Sequence, residues 1–234
     1  MTHSGIRNLA GAVLLVAVAG CASTGEPRPS APAAPPAPLS AAELRTHLLP
    51  AVLPGGWTSR AEPADSGPKA SATSVPPASC GGLLDGQSVV DASTTAASAN
   101  ATAMFGGGRS AGNGVIPGME KLYAFPGDGA RRAMEDIRAL VGRCPSVELP
   151  HTAGETADFA LADGPRLGDE SLVVQARVMP GGTERADATV VRVGSALVVL
   201  SSVLTLAPAE AGTVAGFMPA AVAQLASDHP EPVG

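Results

Sequence analysis

Three cysteines carry most of the chemistry this sequence offers, and their positions divide the work. Cys21 closes the tetrad Val18, Ala19, Gly20, Cys21, which ends an apolar and glycine run from Leu9 to Ala19 behind a short leader holding Arg7. Small residues ahead of a cysteine let a signal peptidase reach the backbone, while the thiol takes a diacylglyceryl group and cleavage frees its amine for further acylation. The pattern predicts a signal peptide over 1–20 and a lipobox, with lipid such as palmitate on Cys21. Several acyl chains hold a protein stably where one is marginal. The apolar run is too short to span a hydrocarbon layer of about 30 Å as a helix, so a lipid anchor is expected in place of a transmembrane one.

Export would put the rest of the chain in an oxidising compartment, where thiols pair. With Cys21 committed to lipid, Cys80 and Cys144 are left, and two cysteines allow a single disulfide. Closing a loop of that size would stabilise the fold by about 4 kcal/mol on the chain-entropy model. The two are far apart in sequence and have no histidine cluster beside them, so no metal site is expected.

Other reactive residues form no coherent set. Gly108, Arg109, Ser110, Ala111 and Gly112 spell the pentapeptide that exposes a nucleophilic serine at a strand-to-helix turn, yet the following Asn113, Gly114, Val115, Ile116, Pro117 and Gly118 cannot form the helix. The reading is therefore a surface loop over Gly106–Pro117, with a hydrolase acting through Ser110 as the alternative. Gly106, Gly107 and Gly108 lack the same helix for a dinucleotide phosphate, and no cofactor is expected. His3, His47, His151 and His229 have no partner at ligand or relay spacing and are read as solvent-exposed. Asp163, Asp169 and Glu170 lack calcium-loop spacing and read as a solvated turn. Trp57 and Tyr123, the single tryptophan and tyrosine, read as core residues with bonded polar atoms, recognition being the alternative. Arg192 stands among apolar neighbours and belongs at a sheet edge or in a cleft.

The elements that would position these residues follow from periodicity. Ser40 and Glu43 form a capping box opening a helix that Pro50 ends at Leu49. Trp57–Glu62 is a first strand, 63–78 a surface loop, Cys80–Leu84 a turn or helix, and Ser88–Phe105 one long or two short strands. Met119–Phe125 is a strand, and Gly127–Arg143 the clearest helix, with Asp128 as N-cap and Pro145 as terminator. Strands follow at Glu155–Leu161, Ser171–Met179, Ala186–Val193 and Ala196–Leu204, the last pair joined by Gly194 and Ser195 as a tight hairpin. Because Ala196–Leu200 is unbroken apolar, that strand is expected to be covered on both faces. A final helix spans Pro208–Ala226. The order gives an α+β single domain, an antiparallel sheet flanked by helices.

Composition sets the remaining bounds. Residues 21–38 are mostly Ala, Pro and Ser and cannot bury a core, so they read as a tether extending to about 50 Å at ~3.1 Å per residue. The folded domain is placed at 39–227 and a tail at 228–234. Removing the leader takes away only Arg7, leaving a net charge of −7, and the longest basic run is Arg131–Arg132. That disfavours nucleic acid or anionic lipid as partners, since both require a clustered basic face.

The early helix with Trp57, the pair Cys80 and Cys144, the strand with Tyr123 running into helix 127–143, and the hairpin Val191, Arg192, Val193, Gly194 resemble the PknH-like extracellular sensor domain family over residues 40–226. The resemblance implies a twisted antiparallel sheet with a cleft that binds an extracellular ligand, for which Trp57, Tyr123 and Arg192 are the candidate lining. Members occur on receptor kinases and as free-standing lipoproteins. This chain departs from the kinase form in having no kinase, no transmembrane helix and one candidate disulfide in place of two. The expectation is a non-enzymatic, lipid-anchored module on the extracytoplasmic face of the cell membrane, binding a small ligand or a protein. A carrier of lipid or other apolar molecules is the alternative, and would need a large apolar cavity.

Overall fold

The structure is a computed structural model and describes residues 37–63, 80, 89–107, 118–149, 154–180, 185–202 and 208–227. The lipobox, most of the tether, the 63–78 loop beyond Pro63, residues 81–84 and the serine pentapeptide lie outside them. The elements are α1 (Ala41–Thr46), β1 (Val52–Leu53), a 3₁₀ turn (Pro54–Gly56), β2 (Trp57–Ala61), α2 (Val89–Ser93), β3 (Ala99–Gly106), β4 (Gly118–Ala124) and α3 (Gly129–Arg143). They continue with β5 (Ser146–Glu148), β6 (Thr156–Asp163), β7 (Glu170–Met179), β8 (Arg185–Val193), β9 (Ala196–Ser202), α4 (Pro208–Gly216) and α5 (Met218–Ala226). The α+β class holds: the nine strands form one antiparallel sheet in the order β1-β2-β3-β4-β9-β8-β7-β6-β5. Among the described residues no helix is long and apolar enough to cross a membrane.

Side-chain alternation along the central strands divides the interior into two layers. On one face Ala103, Phe105, Leu122, Val198, Leu200 and Val191 meet residues of α1, α4 and α5. On the other, Tyr123, Leu197, Val199, Val190, Leu172 and Val174 meet α2 and α3. Ala196–Leu200 is buried at every position, as an apolar run in a central strand should be.

Local signals explain the helices that formed and the places where they stop. Ser40 Oγ accepts from Glu43 N at 3.3 Å while Ser40 N donates to Glu43 Oε2 at 2.7 Å, the expected capping box. The helix nevertheless ends at Thr46, not Leu49, because the Leu49 N–H leaves the helical ladder and donates to Glu120 Oε2 at 2.9 Å. The 88–105 segment is not continuous strand. Val89 and Val90 bury against α3 as part of a short helix, and this packing overrides their β preference.

The expected C-terminal helix is two helices broken at Phe217. Pro219 has no N–H for the Ala215 carbonyl, and its ring would press on that carbonyl in a continuous helix. The break frees Phe217 to pack edge-on against Trp57 and Phe105, each at 5.9 Å between ring centroids. Asp128 occupies the N-terminal position of α3 without a side-chain capping bond; its carboxylate pairs instead with Arg131 and Arg132. The very short β1 and β5 and the 3₁₀ turn escaped the periodicity argument, which needs more residues than they contain.

Candidate functional site

The three candidate cleft residues separate. Trp57 is buried on β2 in the layer under α1 and α5, its ring against Phe217. Tyr123 is buried in the opposite layer, where its hydroxyl donates to Asp91 Oδ1 at 2.5 Å. Lys121 Nζ, one strand repeat away on the same face, reaches both Asp91 oxygens at 2.7 and 2.8 Å. Burial, then the negative charge and hydrogen bond of Asp91, pushes the tyrosine hydroxyl well above its usual pKa. Register aligns Tyr123 with Leu197 and Leu197 with Arg192, so Tyr123 and Arg192 share a face and a row two strands apart. The expected single cleft with Trp57 is thus corrected: a residue on the other side of a sheet cannot line it.

Arg192 is not at a sheet edge. It sits on an interior strand, with Nη1 2.9 Å from Asp169 Oδ2 and Nε 3.5 Å from Glu170 Oε2. Arg138 of α3 holds the other oxygen of Glu170 at 2.6 Å. Asp169 also accepts from Gly194 N at 2.7 Å, tying the β7 entry to the β8–β9 hairpin. Of the three acidic residues read as a solvated turn, Asp163 stands exposed at the end of β6, while Asp169 and Glu170 belong to a four-residue charge network with Arg138 and Arg192 across α3, β7 and β8. The isolated arginine in an apolar strand was its signal; the partner on α3 had none.

His47 corrects another expectation. It is buried at the end of α1, with Nδ1 2.9 Å from the Gln224 carbonyl of α5. His3, His151, His229 and Ser110 lie outside the described residues. Among the described residues no group of three His, Cys, Asp or Glu side chains is placed to hold a metal. Cys80 and Cys144 are joined as a disulfide with Cα atoms 5.6 Å apart, and Cys144 is buried at the C-terminal end of α3.

A concavity lies elsewhere, at the first of the described residues. Pro38, Leu39, Ser40 and Ala41 face Ser98, Ala99 and Asn100 across an open groove of about 460 Å³. The capping box fixes the first wall, and Leu39 is held by partial burial on the core. The second wall is fixed by Ser98, whose N–H and hydroxyl both donate to the Ala124 carbonyl, at 2.8 and 3.1 Å. The lining carries no formal charge, so it suits a neutral ligand with both polar and apolar groups. Sequence reasoning missed it because its walls are 57 residues apart and neither contains a motif.

One further buried group meets the chain just past the C-terminal end of α1, the helix that begins at the groove's first wall. Glu120 is fully buried on β4, between Ala103 of β3 and Leu200 of β9 in the register. Its Oε2 accepts from Leu49 N, and its Oε1 has no hydrogen-bond partner among the described residues. Desolvation raises its pKa to about 7, against the opposing hydrogen bond from Leu49.

Comparison with known proteins adds the following. No protein-family model matches the chain, and no curated protein matches it. Among solved structures it is similar to the crystal structure of the extracellular domain of PknH from Mycobacterium tuberculosis, at 14% identity and a TM-score of 0.47, covering 82% of this chain and 98% of that one.

Proposed function

We propose that this chain is a lipid-anchored extracytoplasmic binding module with no catalytic role, attached to the cell membrane through Cys21 and presenting the groove at Pro38–Ala41 and Ser98–Asn100 to a neutral ligand. The observation that carries the compartment is the Cys80–Cys144 disulfide, since such pairs persist where thiols are oxidised. The lipobox accounts for the one remaining cysteine, and the Ala/Pro tether would set the groove off the bilayer.

The reading is tested in two steps. Metabolic labelling with an alkyne-tagged palmitate, followed by fractionation, should give a labelled membrane-bound chain, and Cys21→Ser should lose label and leave the membrane. An unlabelled wild-type chain would end the anchor proposal. A thermal-shift screen of the full mature chain against neutral sugars, cell-wall fragments and lipids should then give a stabilising hit; a ligand at 100 times its Kd stabilises by about 2.7 kcal/mol. A hit that survives Ser98→Trp, which fills the groove, would place binding elsewhere.

A further inference from the structure

We propose that Glu120 is a proton-operated latch that clamps α1, and with it one wall of the groove, onto the sheet in acid and loosens it as the pH rises. The geometry is direct. The carboxyl comes from the middle of a central strand, is wholly sealed from solvent and makes its hydrogen bond to the backbone where α1 turns into the Leu49–Pro50 connection. Leu44, Leu48 and Leu49 are buried in the same layer as its register neighbours Ala103 and Leu200, and the Leu49 N–H bonds the carboxyl itself, so the end of α1 docks on the sheet at that carboxyl. A neutral carboxyl suits this site. An ionised one would be left with a single donor in an apolar layer, at a high desolvation cost.

No described charge on the surrounding elements offsets that cost. On α1 the ionisable residues are Glu43, Arg45 and His47. Glu43 is bound to Ser40 at the exposed first turn, and His47 meets the Gln224 carbonyl. The α5 helix and the described side chains of α4, from Gly212 on, carry no acidic or basic group. On this face β3 and β9 contribute Ala101, Ala103, Phe105, Val198 and Leu200, and β2 contributes Trp57 and Ser59. Lys121, next in the chain, points to the opposite face and is committed to Asp91. Asp187 of β8 lies two strands from β4.

The raised pKa of about 7, against 4.5 for an unhindered carboxyl, fixes the direction and the window. Below 4.5 the group is protonated folded or unfolded. Between 4.5 and about 7 the open form ionises first, so docking weakens as pH rises, and above that the loss is complete. The full effect on the docking equilibrium is about 300-fold, or tenfold per pK unit.

The test uses the full chain with its disulfide intact. Amide exchange at Leu48, Leu49 and Leu53, corrected for the intrinsic pH effect, should show protection that falls between pH 5 and pH 8 relative to amides of β9. Glu120→Gln keeps the acceptor but cannot ionise, and should hold protection constant over that range. Equal loss in both proteins, or a loss spread evenly over β9, would overturn the latch. Independently of any variant, the Glu120 carboxyl carbon should titrate by NMR near neutrality; a midpoint below 5 would also overturn it.

Discussion

The hydroxyl of Tyr123 donates to Asp91 Oδ1 at 2.5 Å, and the same carboxylate takes both bonds from Lys121. Three polar side chains thereby fasten the short α2 to a central strand. Asp91→Ala leaves the buried hydroxyl and the ammonium without their acceptor and is expected to cost about 2 kcal/mol, whereas Tyr123→Phe removes one bond and should cost about 1 kcal/mol. Urea denaturation of each variant and of the double variant checks both values and their coupling.

The same pair predicts an alkaline signature. Because Tyr123 is the single tyrosine, ultraviolet absorbance follows its ionisation alone. Its folded pKa is raised well above 10.0, so from pH 10 upward the unfolded chain ionises first and stability falls as pH rises. Ionisation and unfolding should therefore coincide. A reversible midpoint near 10 with the fold intact would contradict the burial and pairing of this residue.

Gly168 has a φ of +60° and stands against the Arg192 carbonyl, where a Cβ would collide with backbone. Gly168→Ala is expected to cost about 3 kcal/mol from strain and displacement of the Asp169–Arg192 pairing. Thermal melting measures the loss. Gly142→Ala, on the exposed side of α3 with open space around its Cβ position, should be neutral or stabilising and serves as the control.

Reduction of the Cys80–Cys144 bond, or Cys80→Ala with Cys144→Ala, removes a crosslink between residues 64 apart. The expected loss is about 4 kcal/mol in denaturant midpoint analysis, and an unchanged midpoint would contradict the crosslink.

Phe217→Ala removes the ring that joins Trp57 and Phe105 and should cost about 4 kcal/mol. Trp57 fluorescence should shift to the red as its environment opens, and it reports without interference because the chain has one tryptophan.

The amino-acid order determined the features that depend on neighbours close in the chain. Ser40 and Glu43 set the start of α1, the stripe from Ala130 to Val141 set α3, and the unbroken run Ala196–Leu200 specified a strand buried on both faces. Cysteine count alone paired Cys80 with Cys144, because two thiols leave no choice of partner. Tertiary structure decided where local preference conflicted with burial. It turned Val89–Ser93 into helix and drew Leu49 N–H away from α1 to Glu120.

It also decided which distant residues meet. Trp57, Tyr123 and Arg192 came together only as the candidate lining of the cleft that the family resemblance implies, but the strand register sends Trp57 to one layer and the other two to the opposite one. The groove, the Arg138–Glu170–Arg192–Asp169 network and the sealed Glu120 all join segments far apart in the chain. No periodicity encodes such meetings: the alternation of a strand fixes which side of the sheet a residue takes, and only the pairing of strands fixes what lies beside it.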